Sequence, residues 1–296
     1  MADTIPSDPP PEYTATNEHD PSAPLLPIRP AASSSTQPPL PPNQRRPPPL
    51  LEIPILSHLR TRRVILASAS PRRKHLLGQI GLNNLEIWPS TKPENLDKVL
   101  YGPLEYVAAT AQNKCLDIYE AVIAAQAKAE ETAGEGGVGV PADPELVISA
   151  DTIIVTRAGK ILEKPRSAAE HVQMLRHLRD TKTHRVLTTV CVLSPRKDAA
   201  HPGYVVAAHT EETTVVFAQP SSGLTDKVID SYVRTREGAD KAGGYALQGT
   251  GGLILVERIE GSMDNVIGLP VRQFLQLAEK VVFHQVEEEE EDSDIE

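Results

Sequence analysis

The chain has 296 residues, 40% apolar, 24% charged and 4% aromatic, with 27 prolines against 18 glycines. Its formal charge of −10 falls to −2 once the eight acids of Glu287 to Glu296 are set aside, because 32 acids then face 30 bases. A nearly neutral, aromatic-poor body offers neither a duplex-binding surface nor a stacking platform for single strands, and no apolar run approaches the ~20 residues of a membrane span, so long nucleic acid and membrane are not expected partners.

Sixteen of the prolines fall in the first 54 residues. Residues 1 to about 60 are too poor in apolar side chains to offset the entropy of ordering, and are expected to be disordered. Pro38 to Pro49, with Arg45 and Arg46, have the polyproline II character of a ligand for an SH3-type or WW-type module, and a solvated linker fits the same composition. Residues 287–296 read as an acidic disordered tail. The interval 61–286, roughly 225 residues, is long enough for one large or two small cores.

Within that interval strand-like runs alternate with helical periodicity, the pattern of an α/β fold. Arg63 to Ala67 predicts a buried strand, and Pro71 to Ile80 a helix with proline in its first turn. Leu104, Val107, Ala108, Ala111, Cys115, Ile118 and Val122 recur at helical spacing and predict one long amphipathic helix that fades into the glycine-rich stretch Gly134 to Pro144, a surface insertion. Leu146 to Ala150 and Thr152 to Thr156 predict a strand and its continuation, turning at 157–160 toward Ile161 and Leu162. Ser167 caps the next helix in a capping box with Glu170. Thr183 to Ser194 and Tyr204 to Ala218 predict two long strands, Leu224 to Arg236 a helix, Leu253 to Ile259 a strand, and Val271 to Phe283 a closing helix.

Five segments offer chemistry. In Leu66-Ala-Ser-Ala-Ser-Pro-Arg-Arg73 a strand runs into a helix start, where free N–H groups, Ser68, Ser70 and the guanidinium of Arg72 or Arg73 suit an anion; a capped helix with surface arginines fits equally well. Asp151 follows an apolar run, which suits a general base or a metal ligand, and a turn-forming Asp-Thr pair suits the spacing too. Lys164, before Pro165, and Lys114, on the long helix, gain interest only from a shared anion, a solvated lysine being the default. Asp240 to Gly249 is a glycine-rich loop in which Gln248 presents both a donor and an acceptor to a flat ligand. Gly261 to Pro270 is taken as a structural turn and strand. Cys115 and Cys191 are too few and too distant in sequence for a disulfide framework or thiolate metal site, and a reducing, cytoplasmic setting is expected, in keeping with an opening MADTIPSDPP that lacks the apolar core of a leader. His171 and His177 lie six apart on a helix and should face different ways.

Taken in order, LASASPRRKHLL, SADTIIV, GKILEKP, DKAGGYALQG and NVIGLP resemble the Maf family of nucleoside triphosphate pyrophosphatases, from about Val64 to the final helix. The resemblance implies an α/β/α fold with a central mixed sheet, related to the inosine triphosphate pyrophosphatases, and hydrolysis of a nucleotide to its monophosphate and pyrophosphate with a divalent metal, Mg²⁺ or Mn²⁺. It makes Asp151 the proton acceptor, and Ser68, Ser70, Arg72 and Arg73 the phosphate-binding helix start. Lys114 and Lys164 would line the same cleft, Glu94 would join Asp151 at the metal, and Arg72, Thr152 and Gln248 would bear on base choice. The glutamine of YALQG resembles the branch acting on dTTP and UTP. Ala246 and Leu247 stand where the family usually has Gly-Ile, and Arg236-Glu-Gly238 where it usually has Gly-Glu-Pro. Homodimers are frequent among such proteins. A nucleotide-binding scaffold acting through its two ends, without turnover, is the alternative.

Overall fold

The computed structural model describes residues 49–92, 96–133, 143–196 and 203–283. In them Val64–Leu66 (β1), Leu85–Ile87 (β2), Leu146–Thr156 (β3), Ile161–Leu162 (β4), Thr183–Pro195 (β5), Tyr204–Phe217 (β6) and Val256–Glu260 (β7) form one mixed sheet, ordered β2-β1-β3-β5-β6-β7 with β4 paired to β3. β1 is parallel to β2 and β3, whereas the β3-β5, β5-β6 and β6-β7 pairs are antiparallel.

The period of two along the strands sorts side chains between the faces. Val64, Leu66, Leu146 and Ile148 pack against Pro54–Leu59 (α1), Pro71–Gln79 (α2) and Val271–Phe283 (α8). Ile65, Val147 and Cys191 face the long helix Lys98–Ala133 (α3) through Ala111, Cys115, Ile118 and Val122. Further along the sheet, Val186, Val215 and Phe217 meet Ala168–Thr181 (α4) and Asp226–Thr235 (α5). Helices thus cover both faces, as the α/β reading requires.

Several boundaries differ from the sequence reading. Residues up to about 60 were expected outside the fold, but α1 buries Ile55, Leu56 and Leu59 in the main core. Each such side chain contributes roughly 1.5–3 kcal/mol, and three within six residues outweigh the local proline. α3 includes a break at Gly102, whose φ of 69° precedes Pro103, so the continuous helix begins near the expected Leu104. The strand expected over 253–259 is divided, its first residues joining the short helix Thr250–Ile254 (α6). The turn and strand expected over 261–270 contain a helix, Met263–Ile267 (α7). Ser167 caps α4 as expected by accepting from the Glu170 N–H, but the Glu170 carboxylate reaches back to the Arg166 N–H, one residue before the cap. Arg236, where the family usually has glycine, ends α5 at φ 62°, in the left-handed region that favours glycine.

One consequence of the pairing matters for the site. β1 accompanies β3 only as far as Ile148, with the Ala67 N–H donating to the Ile148 carbonyl, and β4 joins the same edge at Ile154. Ser149 to Ile153 therefore have no described strand beside them on that edge. Asp151 was expected at the junction between a strand ending at Ala150 and its continuation from Thr152. It lies instead in the middle of β3, at a level the shorter β1 does not reach.

Candidate active site

A cleft of about 590 Å³ opens at this gap. Ser68, Ser70, Arg72, Arg73, Lys114, Asp151, Thr152, Lys164 and Gln248 all line it, although they come from stretches up to 180 residues apart. Glu94 lies outside the described residues. Consecutive residues of β3 point to opposite faces, yet Asp151 and Thr152 both reach the cleft because the unaccompanied edge leaves both faces accessible.

Asp151 is nearly buried and ion-pairs with Lys114, Nζ to Oδ1 2.7 Å, the two side chains being 10% and 15% exposed. Lys114 is not the solvated lysine that spacing alone favours. It follows Ala111 by three residues and precedes Ile118 by four, so it shares the sheet-facing stripe of α3. Ser149, two residues before Asp151 on the same face, donates to the Ala111 carbonyl at 2.7 Å and ties strand to helix directly behind the pair.

The loop from β1 to α2 supplies the cationic side. Ser70 caps α2 with its backbone alone, no side-chain bond closing the helix start, and Pro71 opens the first turn. Arg73 is held on three sides: Nε donates to the Gly268 carbonyl (2.8 Å), one terminal nitrogen to Ser68 Oγ (3.0 Å) and the other to Thr152 Oγ1 (3.1 Å). Ser68 Oγ also accepts the Ser70 N–H at 3.2 Å, so two N–H donors use its lone pairs and its single proton remains for a ligand oxygen. Arg72 reaches the Ile267 carbonyl at 3.4 Å and faces Asp240 at 4.0 Å. Burial lowers its guanidinium below the ordinary arginine value, with Asp240 opposing the shift, and it stays cationic at neutral pH.

Gln248 sits exposed at the rim. Ala246, buried, and Leu247, packed against the main core, anchor the loop just ahead of it. Glu237 organises the other side, its carboxylate accepting the N–H groups of Thr250 (3.0 Å) and Gly251 (2.9 Å) at the start of α6. Burial alone would raise this carboxyl, but those backbone donors, together with side-chain hydrogen bonds from Thr250 and Tyr232, outweigh it and hold it below the usual carboxylate range. Gly238, where the family usually has proline, leaves no room for a side chain: a Cβ would lie 1.9 Å from the Gly244 carbonyl oxygen.

Sequence reasoning missed part of this lining. Ile267 and Gly268, from the segment taken as structural, present the carbonyls that aim Arg72 and Arg73. Glu163 also lines the cleft, bridged to Lys98 at 2.7 Å and approached by the Tyr106 hydroxyl at 3.4 Å. The IGLP string carried no charged residue, so only its place in the ordered motifs could have flagged it. Cys115 and Cys191, read as distant, are buried in one core cluster as free thiols, and contact with Cys191 together with burial pushes the Cys115 thiol well up. His171 is buried and His177 exposed, as expected from their spacing. Among the described residues no group of three His, Cys, Asp or Glu side chains could hold a metal, and no helix is long and apolar enough to cross a membrane.

Fold and site together define a mixed α/β protein whose open strand edge gathers cationic side chains and a helix start around one buried carboxylate. The family model for Maf-like protein matches residues 63–281. The chain belongs to the Maf family. It is 44% identical over 234 residues to the dTTP/UTP pyrophosphatase of Schizosaccharomyces pombe, covering 78% of this chain and 89% of that protein. It is 41% identical over 223 residues to the dTTP/UTP pyrophosphatase of Anaeromyxobacter dehalogenans, covering 75% and 95%. Among solved structures, a nucleoside-triphosphatase / dITP/XTP pyrophosphatase from Mycobacterium abscessus matches at a TM-score of 0.27 and 10% identity, covering 52% of this chain and 74% of that one, a likeness below the level that defines a shared fold.

Proposed function

We propose that this chain hydrolyses nucleoside triphosphates, dTTP and UTP foremost, to the monophosphate and pyrophosphate by water attack on the α-phosphorus. The observation that carries the reading is the meeting of the α2 start, Ser68, Arg72, Arg73, Lys114 and Lys164 with Asp151 in one cleft. A triphosphate brings roughly four negative charges, which arginines, lysines and a helix start neutralise as charge builds on the leaving group. Asp151 accepts the proton of the attacking water, and Lys114, 2.7 Å away, holds its carboxylate in place. Ser68 donates a hydrogen bond through its O–H to a phosphate oxygen. Gln248 and the nearby backbone read the O4, N3–H and O2 edge that thymine and uracil share.

The donor chemistry suits a metal that arrives with the substrate. Mg²⁺ is usually held by one or two carboxylates plus phosphate oxygens, and Asp151 supplies one such carboxylate. Glu94 would supply the second in the family pattern. When bound, Mg²⁺ or Mn²⁺ neutralises phosphate charge and acidifies a coordinated water. Free, buried Cys115 and Cys191 support a cytoplasmic setting. A homodimer, checked by light scattering, and an SH3-type or WW-type partner for Pro38 to Pro49, most of which lies outside the described residues, complete the proposal. The non-catalytic scaffold alternative gains no support, since relatives of nearly full coverage carry enzyme names.

Incubation with dTTP, UTP, CTP and GTP in the presence of Mg²⁺ or Mn²⁺, with identification of the inorganic product, tests the reading. Pyrophosphate from the pyrimidine nucleotides is expected. Orthophosphate would make the protein a terminal phosphatase, and intact nucleotides would overturn the assignment.

A further inference from the structure

From the cleft wall inward, a chain of two hydroxyl groups connects Arg73 to residues that do not line the cleft. Thr188 Oγ1 donates to the Asn265 backbone carbonyl at 2.9 Å, and the hydroxyls of Thr152 and Thr188 lie 3.0 Å apart across the β3-β5 register. Thr152 Oγ1 in turn receives the Arg73 terminal nitrogen at 3.1 Å. Thr188 and Asn265 are fully buried. The Asn265 amide donates to the Val186 carbonyl (3.2 Å) and to Thr213 Oγ1 (2.9 Å), which pins the residue whose carbonyl ends the chain. Its amide oxygen has no partner among the described residues, a cost that cores seldom accept without a gain elsewhere.

Counting protons fixes the direction of every bond. A carbonyl only accepts, so the single proton of Thr188 is committed to Asn265. Thr188 can then only accept from Thr152, which spends the single Thr152 proton toward the core. An arginine nitrogen only donates, so Thr152 Oγ1 meets Arg73 with a lone pair, and the guanidinium has one orientation that satisfies Gly268, Ser68 and Thr152 together. We propose that Thr188 and Asn265 are positioning residues for triphosphate binding: they polarise the Thr152 hydroxyl inward and thereby aim Arg73 at the phosphates. Thr152 has no proton to offer a nucleotide, so its hydroxyl bears on substrate through Arg73. This rests on the proposed site for the phosphates but not on turnover.

The test measures binding of inorganic tripolyphosphate by calorimetry to the full chain, with thymidine, which lacks phosphate, as control. Thr188→Val, nearly isosteric, removes the hydroxyl; the expected result is about tenfold weaker tripolyphosphate binding with thymidine binding unchanged. Thr188→Ser restores affinity to within about twofold, a rescue that a purely packing role would not produce. Added to Arg73→Lys, Thr188→Val costs less than about twofold more, because both act on one contact. Wild-type affinity in Thr188→Val, failure of serine to rescue, or full multiplication of the two effects would overturn the proposal. Should Thr188→Val not fold, Thr152→Val breaks the next link and is read by the same cycle. A wild type that binds tripolyphosphate yet leaves dTTP and UTP intact would sink the hydrolase reading alone.

Discussion

Replacing Asp151 with asparagine removes one charge and little volume. The carboxylate is 10% exposed and ion-pairs with Lys114 at 2.7 Å, so three separable effects follow. Loss of a general base lowers turnover by about 10² to 10⁴. Breaking a buried ion pair by deleting one partner costs about 3–5 kcal/mol in a closed core. Here the amide oxygen still accepts from Lys114 and the pair borders an open cleft, so about 1–2 kcal/mol is expected, a melting decrease of about 2–8 °C for a domain of this size. Removing a negative charge that faces the phosphates is worth about 1 kcal/mol at the high effective dielectric of such a cleft, so metal-free tripolyphosphate should bind about fivefold tighter. Pyrophosphate release, thermal unfolding and calorimetry read the three effects in turn. A variant that turns over within a few-fold of wild type removes Asp151 from the mechanism, and one that binds tripolyphosphate more weakly refutes the electrostatic account of the cleft.

Two other outcomes are expected. Gln248→Glu, at the cleft rim, loses a donor and should change the ratio of kcat/KM among nucleotides by about tenfold, whereas equal slowing on every nucleotide would contradict a base-reading role. His184 is buried beneath Tyr245, with Nε2 2.8 Å from the phenol oxygen, and burial depresses its imidazole to about 3. Its ordinary value is near 6.5, so the unfolded chain takes up a proton below that pH while the folded one does not; stability is full above about 6.5 and falls by roughly 1.4 kcal/mol per pH unit toward 3. Urea unfolding at about pH 7.5 and 5 should show a loss of about 2 kcal/mol that His184→Gln abolishes, and an unchanged slope would assign the acid sensitivity to other groups.

Much of the machinery was legible because strands and helix starts announce themselves locally. The run into Pro71 marked a helix start, the apolar flanks of Asp151 marked a carboxylate in an unusual place, and five ordered motifs tied both to one family. Lys114 was ambiguous for a physical reason: helical spacing identifies a stripe, but which stripe meets the sheet depends on packing. Ile267 and Gly268 escaped notice because they act through backbone carbonyls, which every residue possesses. α1 was hidden by the proline-rich segment before it, since composition averages over the three leucine and isoleucine side chains that reach the core.

By itself the sequence determined the alternation of strands and helices, the set of charged groups and the family. Only the tertiary structure decided that β1 accompanies β3 no further than Ile148 while β4 joins it from Ile154, leaving Ser149 to Ile153 with no described strand beside them on that edge. Strand pairing lengths are set by the non-local fit of three segments, and the opening they leave is what lets Asp151 and Thr152, on opposite faces of one strand, serve the same cleft.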